Sequence, residues 1–478
     1  MTTTFLWHDY ETFGISPRRD RPSQFAAVRT DAELNQIGEP IMLYCRPASD
    51  YLPDPQSCLI TGITPQLCLE RGLPEYQFAA AIEQAFSEPG TIGVGYNTIR
   101  FDDEFTRFLF WRNLIDPYAR EWQNGCGRWD ILDLVRTTYA LRPDGIVWPK
   151  HEDGRPSFRL EDLTIANDLD HDAAHDALSD VHATLALARL VRARQPRLFD
   201  FCFELRKKER VSAEISLHAP RPFLHVSGMF PAERGCLALM WPLAPHPTNK
   251  NEVIAWDLAF DPAELRTLDA ETIRTRMFTA ADALPEGMSR LPIKSIHINK
   301  SPVVIGNLKT LPPPLAQRWG IDLGTALRHA EIAAGLDAGG KMRPLWEAVY
   351  ERPAGAAADV DEDLYGGFVG NGDRRKLTQL RAESPQQLAR PPAFDDPRLE
   401  ELLFRYRARN FPETLTGEEA QRWEEHRAAR LLGGAAGART LPAFFDDIDR
   451  LAEDAGENGE EILGALYDYA ESIAPMDD

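Results

Sequence analysis

Residues 5–7, Phe-Leu-Trp, form an apolar run that predicts a buried strand, and Asp9 and Glu11 follow at once. Residues two apart on a strand face the same side, so the two carboxylates are expected side by side at the end of a core strand. TIGVGYN (91–97) is a short apolar run closing on Gly and Asn and predicts another strand. FDDEFTRFLFWRNL (101–114) spaces its Phe and Leu residues as a helix does. SDVHATLALARLVRAR (179–194) reads as an amphipathic helix whose basic last turn complements the helix dipole. Strand and helix alternating over residues 1–195 predict an α/β domain, and QPRLF (195–199) ends its last helix.

The pattern then changes. RPFLHVSGMF (221–230), GCLALMWPLA (235–244), EVIAWDLAF (252–260) and KSIHINKSPVVIG (294–306) predict short strands separated by Pro and Gly. Residues 196–350 are therefore expected to form a small β-rich domain, with LPPPLAQRWGI (311–321) leading into helix. PAGAAADVDEDLYGG (353–367) has the composition of an exposed connector. Helical spacing returns in DPRLEELLFRYRARNF (396–411), GEEAQRWEEHRAARLL (417–432), PAFFDDIDRLAEDA (442–455) and GEEILGALYDYAESI (459–473). Residues 351–478 thus predict a helical domain.

At 478 residues the chain exceeds what one ordinary core supports. No apolar run is long enough to span a bilayer and the opening residues show no signal-peptide pattern, which points to the cytoplasm. Six cysteines without a CxxC pair suit reduced thiols rather than a disulfide framework or a zinc site. Net charge is −21, which taken whole opposes nucleic-acid binding. It is unevenly spread: −10 over residues 1–195, +2 over 196–350 and −13 over 351–478. A polyanion would meet its least repulsive surface in the middle third.

Asp9 and Glu11 raise a chemical question, since paired carboxylates in a poorly hydrated place resist ionisation. Either both acids face water beyond the strand, or a divalent cation supplies the missing charge. Three other segments bring further polar chemistry. GYNTIRFDDEF (95–105) sets Asp102 and Asp103 at a helix start, AHDALSDVHATLAL (174–187) offers His175 and Asp180, and SFRLEDL (157–163) offers Arg159. Hard oxygen ligands of this kind suit Mg²⁺ or Mn²⁺ better than zinc. Two such ions about 3.5–4 Å apart can clamp both the attacking and the leaving oxygen of a phosphodiester.

These motifs, in this order, resemble the DEDD superfamily of 3′→5′ exonucleases in its histidine-bearing branch. HDYETFG, ITGITPQ, GYNTIRFDDE, RWDILDL, YALRPDGI, SFRLEDLTIAN and AHDALSDVHAT are all similar to the bacterial exonuclease I family within it. RQPRLFD, FLHVSGMF, IHINKSPV and LLFRYRARNFPETL carry the resemblance through the rest of the chain, while RLLGGAAGARTLPAFF (430–445) matches poorly. The resemblance implies that Asp9, Glu11 and Asp180 hold two metal ions, Mg²⁺ or Mn²⁺. It implies that Asp102 is the fourth acid, acting through water, that His175 is the general base, and that Glu11 and Arg159 meet the substrate. Arg107, Tyr118, Trp122, Arg136, Arg142 and Phe158 fall where the family's catalytic domain meets single-stranded DNA. Lys250, Lys294 and Lys300, in segments of the middle third, are expected to extend that path.

The expected architecture is a ribonuclease H-like α/β domain (1–195), an SH3-like β-rich domain (196–350) and an all-α domain (351–478). The expected activity is hydrolysis of single-stranded DNA from its 3′ end to 5′-mononucleotides, in DNA repair and recombination, by a cytoplasmic monomer. The family further implies a partner, the acidic C-terminal tail of single-stranded-DNA-binding protein. Two alternatives remain open on the residues alone: an exoribonuclease with the same acids, and a non-catalytic DNA clamp.

Overall fold

The computed structural model describes residues 2–169, 176–337, 342–351 and 358–475, and every structural statement below concerns these. Two compact units cut across the chain order. One comprises Met1–Gly127, His171–Leu185 and Ala356–Asp478, the other Arg128–Asp170 and Ala186–Gly355.

The first unit is built on a mixed sheet. Its central strand β1 (Thr4–Thr12) pairs antiparallel with β2 (Pro22–Thr30), which pairs antiparallel with β3 (Ile41–Tyr44). On its other side β1 pairs parallel with β4 (Thr91–Gly95). β1 is buried along nearly its whole length, as a strand covered on both faces must be. Leu6, Tyr10 and Phe25 pack against Phe78, Ile82 and Phe86 of the helix Glu75–Ser87 and Leu109 and Phe110 of the helix Asp102–Arg112.

The acids lie on the last part of the strand, as the sequence pattern suggested: pairing continues through Asp9↔Ala26 and Glu11↔Gln24 before a bulge between Glu11 and Thr12. β2, β3 and the helices of residues 55–87 were not foreseen. β2 lacks the alternation that marks a half-exposed strand because eight of its nine positions are buried.

The helices beyond residue 357 belong to this unit. Leu399, Leu402, Leu403 and Tyr406, on the helix Arg398–Asn410, pack with Phe108, Trp111 and Leu114. Phe444, Leu463, Leu466 and Tyr469 pack with Phe13, Tyr51 and Cys58. The stretch read as an exposed connector is exposed at residues 358 and 365–367 but not over 359–364. Val360–Tyr365 is a 3₁₀ turn that buries Val360 and Leu364 in the core. Its Asp361, 2% exposed, is bound by Arg405 and Arg409. Arg409 also donates to Asp50, which is fully buried. Acidic composition signals solvent only when no cation waits inside, and here three arginines of the fold, with Arg21 at 4.0 Å, meet the one carboxylate.

The strand β5 (Gly127–Asp130) begins at the boundary between the units. The second unit carries an antiparallel sheet of β6 (Phe223–Val226), β7 (Leu237–Pro245), β8 (Glu252–Asp257), β9 (Ile293–His297) and β10 (Val303–Ile305), in the order β10-β6-β7-β8-β9. The stretch 294–306, read as one strand, is two. The Asn299–Pro302 segment breaks it, with Ser301 in the left-handed region at φ 47°.

Candidate active site

Pairing of β1 with β4 stops at Trp7↔Val94, so residues 8–12 of β1 overhang its parallel neighbour. Ligands of α/β sheets gather at the carboxyl ends of parallel strands, and the overhang puts Asp9 and Glu11 there. The chain leaving β4 turns at Gly95, where a Cβ would lie 2.8 Å from the carbonyl oxygen of His8 and closer still to Thr98. Only a glycine lets β4 come this near to β1. A left-handed residue, Asn97 (φ 65°), and a single 3₁₀ turn follow before the helix Asp102–Arg112 begins.

That helix start separates two adjacent acids. Asp102 Oδ1 accepts from the backbone N–H of Tyr10 at 3.1 Å, between the two acids of β1. Thr106 ties the same turn to β1 by donating to the Tyr10 hydroxyl at 3.0 Å. Asp103 points elsewhere, into an ion pair with Arg120 at 2.5 Å. Asp180 arrives on the first turn of the helix Ala177–Arg194. The start of that helix is held by Gln24, the residue opposite Glu11, whose side-chain oxygen accepts from the Ala177 N–H at 3.3 Å.

One carboxylate oxygen from each of Asp9, Glu11 and Asp180 lies within 4.8 Å of the other two. The electrostatics are unfavourable for bare carboxylates. Burial, then Asp102, Glu11 and Asp180, hold the Asp9 carboxyl well above its ordinary range. Burial, then Asp180, Asp102 and Asp176, push Glu11 up to about 8. Asp9 and Glu11 have no ion-pair partner among the described residues. Three hard oxygen donors converging on one point with no basic partner for the β1 pair fit a divalent cation, whose charge would return these groups to their ionised form. Asp176, which adds to the negative field at Glu11, was not singled out in the sequence. Its neighbour His175 lies outside the described residues.

The other predicted residues divide by unit. In the first, Arg107 is buried and spent on internal partners: Glu121 at 2.7 and 2.9 Å, Glu104 at 2.8 Å and the Tyr365 hydroxyl at 3.1 Å. Its guanidinium lies over the half-buried Tyr118 ring at 5.2 Å. Trp122 is 63% exposed. Tyr118 and Trp122 line a groove of about 680 Å³ with Phe368 and Arg375. In the second unit, Arg159 occupies the position before the helix Leu160–Ala166 without capping it, its side chain 66% exposed. Arg142 is exposed, and Arg136 stands over the Phe158 ring at 5.9 Å. Lys250 is exposed, while Lys294 and Lys300 are half-buried.

A mixed sheet with acids converging at the carboxyl end of its central strands defines a metal-dependent exonuclease, and residues 6–188 match the family model described as Exonuclease. Residues 206–352 match the Exonuclease I SH3-like domain and 358–473 the Exonuclease I C-terminal domain. The chain belongs to the exonuclease I family. It is 47% identical to exodeoxyribonuclease I of Escherichia coli, over 98% of each chain, and 44% identical to that of Haemophilus influenzae, again over 98% of each. Its fold superposes on exonuclease I of Methylocaldum szegediense with a TM-score of 0.93 at 50% identity, covering 98% of this chain and 99% of that one. E. coli exonuclease I in complex with a dA16 oligonucleotide superposes with a TM-score of 0.92 at 46% identity, covering 99% and 100%.

Proposed function

We propose that this chain hydrolyses single-stranded DNA from its 3′ end, releasing 5′-mononucleotides. The observation that carries the proposal is the convergence of Asp9, Glu11 and Asp180 on one point, with the carboxyls of Asp9 and Glu11 raised by burial and by the charge of neighbouring acids, in a chain of this family. Two divalent ions, Mg²⁺ in the cell, would be held by these acids and would supply charge for the attacking and departing oxygens. Asp102, fixed by the Tyr10 N–H, keeps a carboxylate beside them. His175 takes the proton from the attacking water, as an imidazole titrating near neutrality can. The water oxygen bonds to phosphorus, the bond to the 3′ oxygen breaks, and that oxygen leaves with a proton as the new 3′ hydroxyl. Glu11 meets the substrate, and the exposed Arg159 offers its guanidinium to a phosphate.

Tyr118, Trp122 and Phe158 offer faces on which bases stack without sequence readout, and Arg136, Arg142, Lys250, Lys294 and Lys300 follow the phosphates. Arg107, closed within its acidic cage, orients Tyr118 in this reading. We assign the chain three successive domains, 1–195, 196–350 and 351–478. We further assign it a role as a cytoplasmic monomer in DNA repair and recombination, and a partner in the acidic tail of single-stranded-DNA-binding protein. No helix among the described residues is long and apolar enough to cross a membrane. None of the comparisons favours RNA as substrate.

Digestion of 3′- and 5′-labelled oligonucleotides, single- and double-stranded, deoxyribose and ribose, with Mg²⁺ or EDTA, tests the proposal. The expected result is release of mononucleotides from the 3′ end of single-stranded DNA, stopped by EDTA. Cleavage that survives EDTA, starts at the 5′ end or prefers RNA would overturn it.

A further inference from the structure

The link between β6 and the start of β7 carries the sequence Ser-Gly-Met-Phe, and its conformation is tightly specified. The Phe230 N–H donates to the Ser227 carbonyl at 3.0 Å, closing a four-residue turn. The Met229 N–H donates to the Ser227 hydroxyl at 3.3 Å, and the Ser227 N–H donates to the Cys236 carbonyl at 2.9 Å. Lys294, on β9, donates from Nζ to the same Ser227 hydroxyl at 2.7 Å and stands over the Phe230 ring at 5.1 Å. On the other flank the guanidinium of Arg136 lies on the bare backbone of Gly228. A Cβ there would be 2.5 Å from its Cζ. Asp133 holds Arg136 Nη1 at 2.8 Å, while its Nε is buried without a hydrogen-bond partner among the described residues. At the tip, between these two cations, Met229 is 72% exposed.

A rigid turn that displays a thioether outward between two cations has an order that matches one ligand class. A single strand of DNA alternates anionic phosphates with flat, apolar, polarizable bases. Lysine and arginine suit the first, and methionine sulfur makes favourable contacts with aromatic rings. Apolar side chains, Met among them, serve other DNA-binding proteins as wedges against base steps. We propose that Met229 is a base-contacting residue, held against a nucleobase of the bound strand while Arg136 and Lys294 engage its phosphates. Gly228 matters here because only a residue without Cβ lets the guanidinium lie against the turn. This inference rests on the proposed action on single-stranded DNA, and adds to it a contact that carries no charge.

The test is equilibrium binding of the full chain to oligo(dT) in EDTA, with a single abasic site moved along the strand. For the unaltered chain, affinity should fall about two- to ten-fold when the abasic site reaches the base against Met229, the range expected of a sulfur–aromatic contact. Met229→Ala should lose a similar factor on intact oligo(dT) and lose nothing further at that position. Met229→Trp, which offers a larger stacking face, should keep or tighten binding and retain the abasic penalty. Equal affinity and an unchanged abasic profile for Met229→Ala would overturn the inference, as would a loss that leaves the profile intact. If the unaltered chain bound no single strand and degraded none, the functional reading itself would fall, and this inference with it. Normal degradation together with an indifferent Met229→Ala would remove the inference alone.

Discussion

Asp9 and Glu11 show what a single side chain can reveal. Their spacing of two was legible because a strand's period places both on one side, and their wrongness for a core was legible because like charges resist burial together. Composition and spacing alone left open which of two adjacent acids, Asp102 or Asp103, turns toward them, and only the family resemblance picked Asp102. That choice follows from the helix start, where the Tyr10 N–H takes one and Arg120 the other. Replacing Asp9 by Asn removes a charge from a repulsive cluster. In metal-free buffer Asp9→Asn should melt at a higher temperature than the unaltered chain, yet gain little from added Mg²⁺ and hydrolyse nothing. Thermal melts with and without metal, beside a nuclease assay, check this, and near-normal cleavage would dismiss the metal reading. His175→Ala should slow hydrolysis about 10²–10⁴-fold, the usual worth of a positioned proton acceptor. Part of that loss should return at higher pH, where hydroxide is more available. Equal rates at pH 7 would leave His175 without a part in the chemistry.

Among the elements, the helix Arg398–Asn410 was legible as a helix from its leucines, but its charged positions misled. Within LLFRYRARNF, Arg405 and Arg407 are buried and the Arg409 side chain is only 3% exposed. Arg407 finds Glu419 in the next helix, but Arg409 reaches Asp50 far back in the chain, and Arg405 and Arg409 share Asp361 in a stretch whose composition suggested exposure, so local pattern had no access to these last two partners. Burial alone would raise the Asp361 carboxyl, but Arg409, Arg405 and Arg21 outweigh it and hold it well below the usual range. Asp50 is held down likewise, against burial, by Arg409, His426 and Arg430. Unfolded, both acids titrate near 3.8. The stability they confer is therefore fully present above that pH and is lost as pH falls through their lower folded values. Acid titration followed by circular dichroism should show a cooperative loss of structure in that window. Asp361→Asn, which strands buried arginines, should cost about 3–5 kcal/mol at neutral pH and shift the acid transition. An unchanged transition would mean the network adds nothing.

For the molecule as a whole, overall charge pointed away from nucleic acid while its distribution pointed toward it. The middle third, at +2 against −10 and −13, was the legible clue. Which lysines face a ligand was not, since Lys294 is partly engaged with Ser227 and Lys250 stands in solvent. Each lost phosphate contact should lower the salt slope of single-strand binding by about 0.7. Lys294→Ala with Lys300→Ala should therefore bind more weakly, with a flatter salt dependence, and remove fewer nucleotides per encounter. The wild-type slope in the double variant would place these lysines off the DNA path. The order of domains along the chain was readable from changing periodicity. The packing of its first 127 residues with its last helices was not, because periodicity records neighbours in sequence only.

That packing has a consequence for how the protein is made. The carboxylate that neutralises Arg409 and meets Arg21 sits at residue 361, and the apolar surface covering Phe108 and Trp111 comes later still. A ribosome adding about 5–20 residues per second exposes the acidic strand well before it delivers these parts. The nascent chain thus carries an unclosed core, with Asp50 still lacking Arg409 and Arg21 still lacking Asp361, for on the order of tens of seconds. Nuclease activity measured on stalled chains should remain absent until the helix Arg398–Asn410 has left the exit tunnel, so that cutting waits on a segment made long after the acids that perform it.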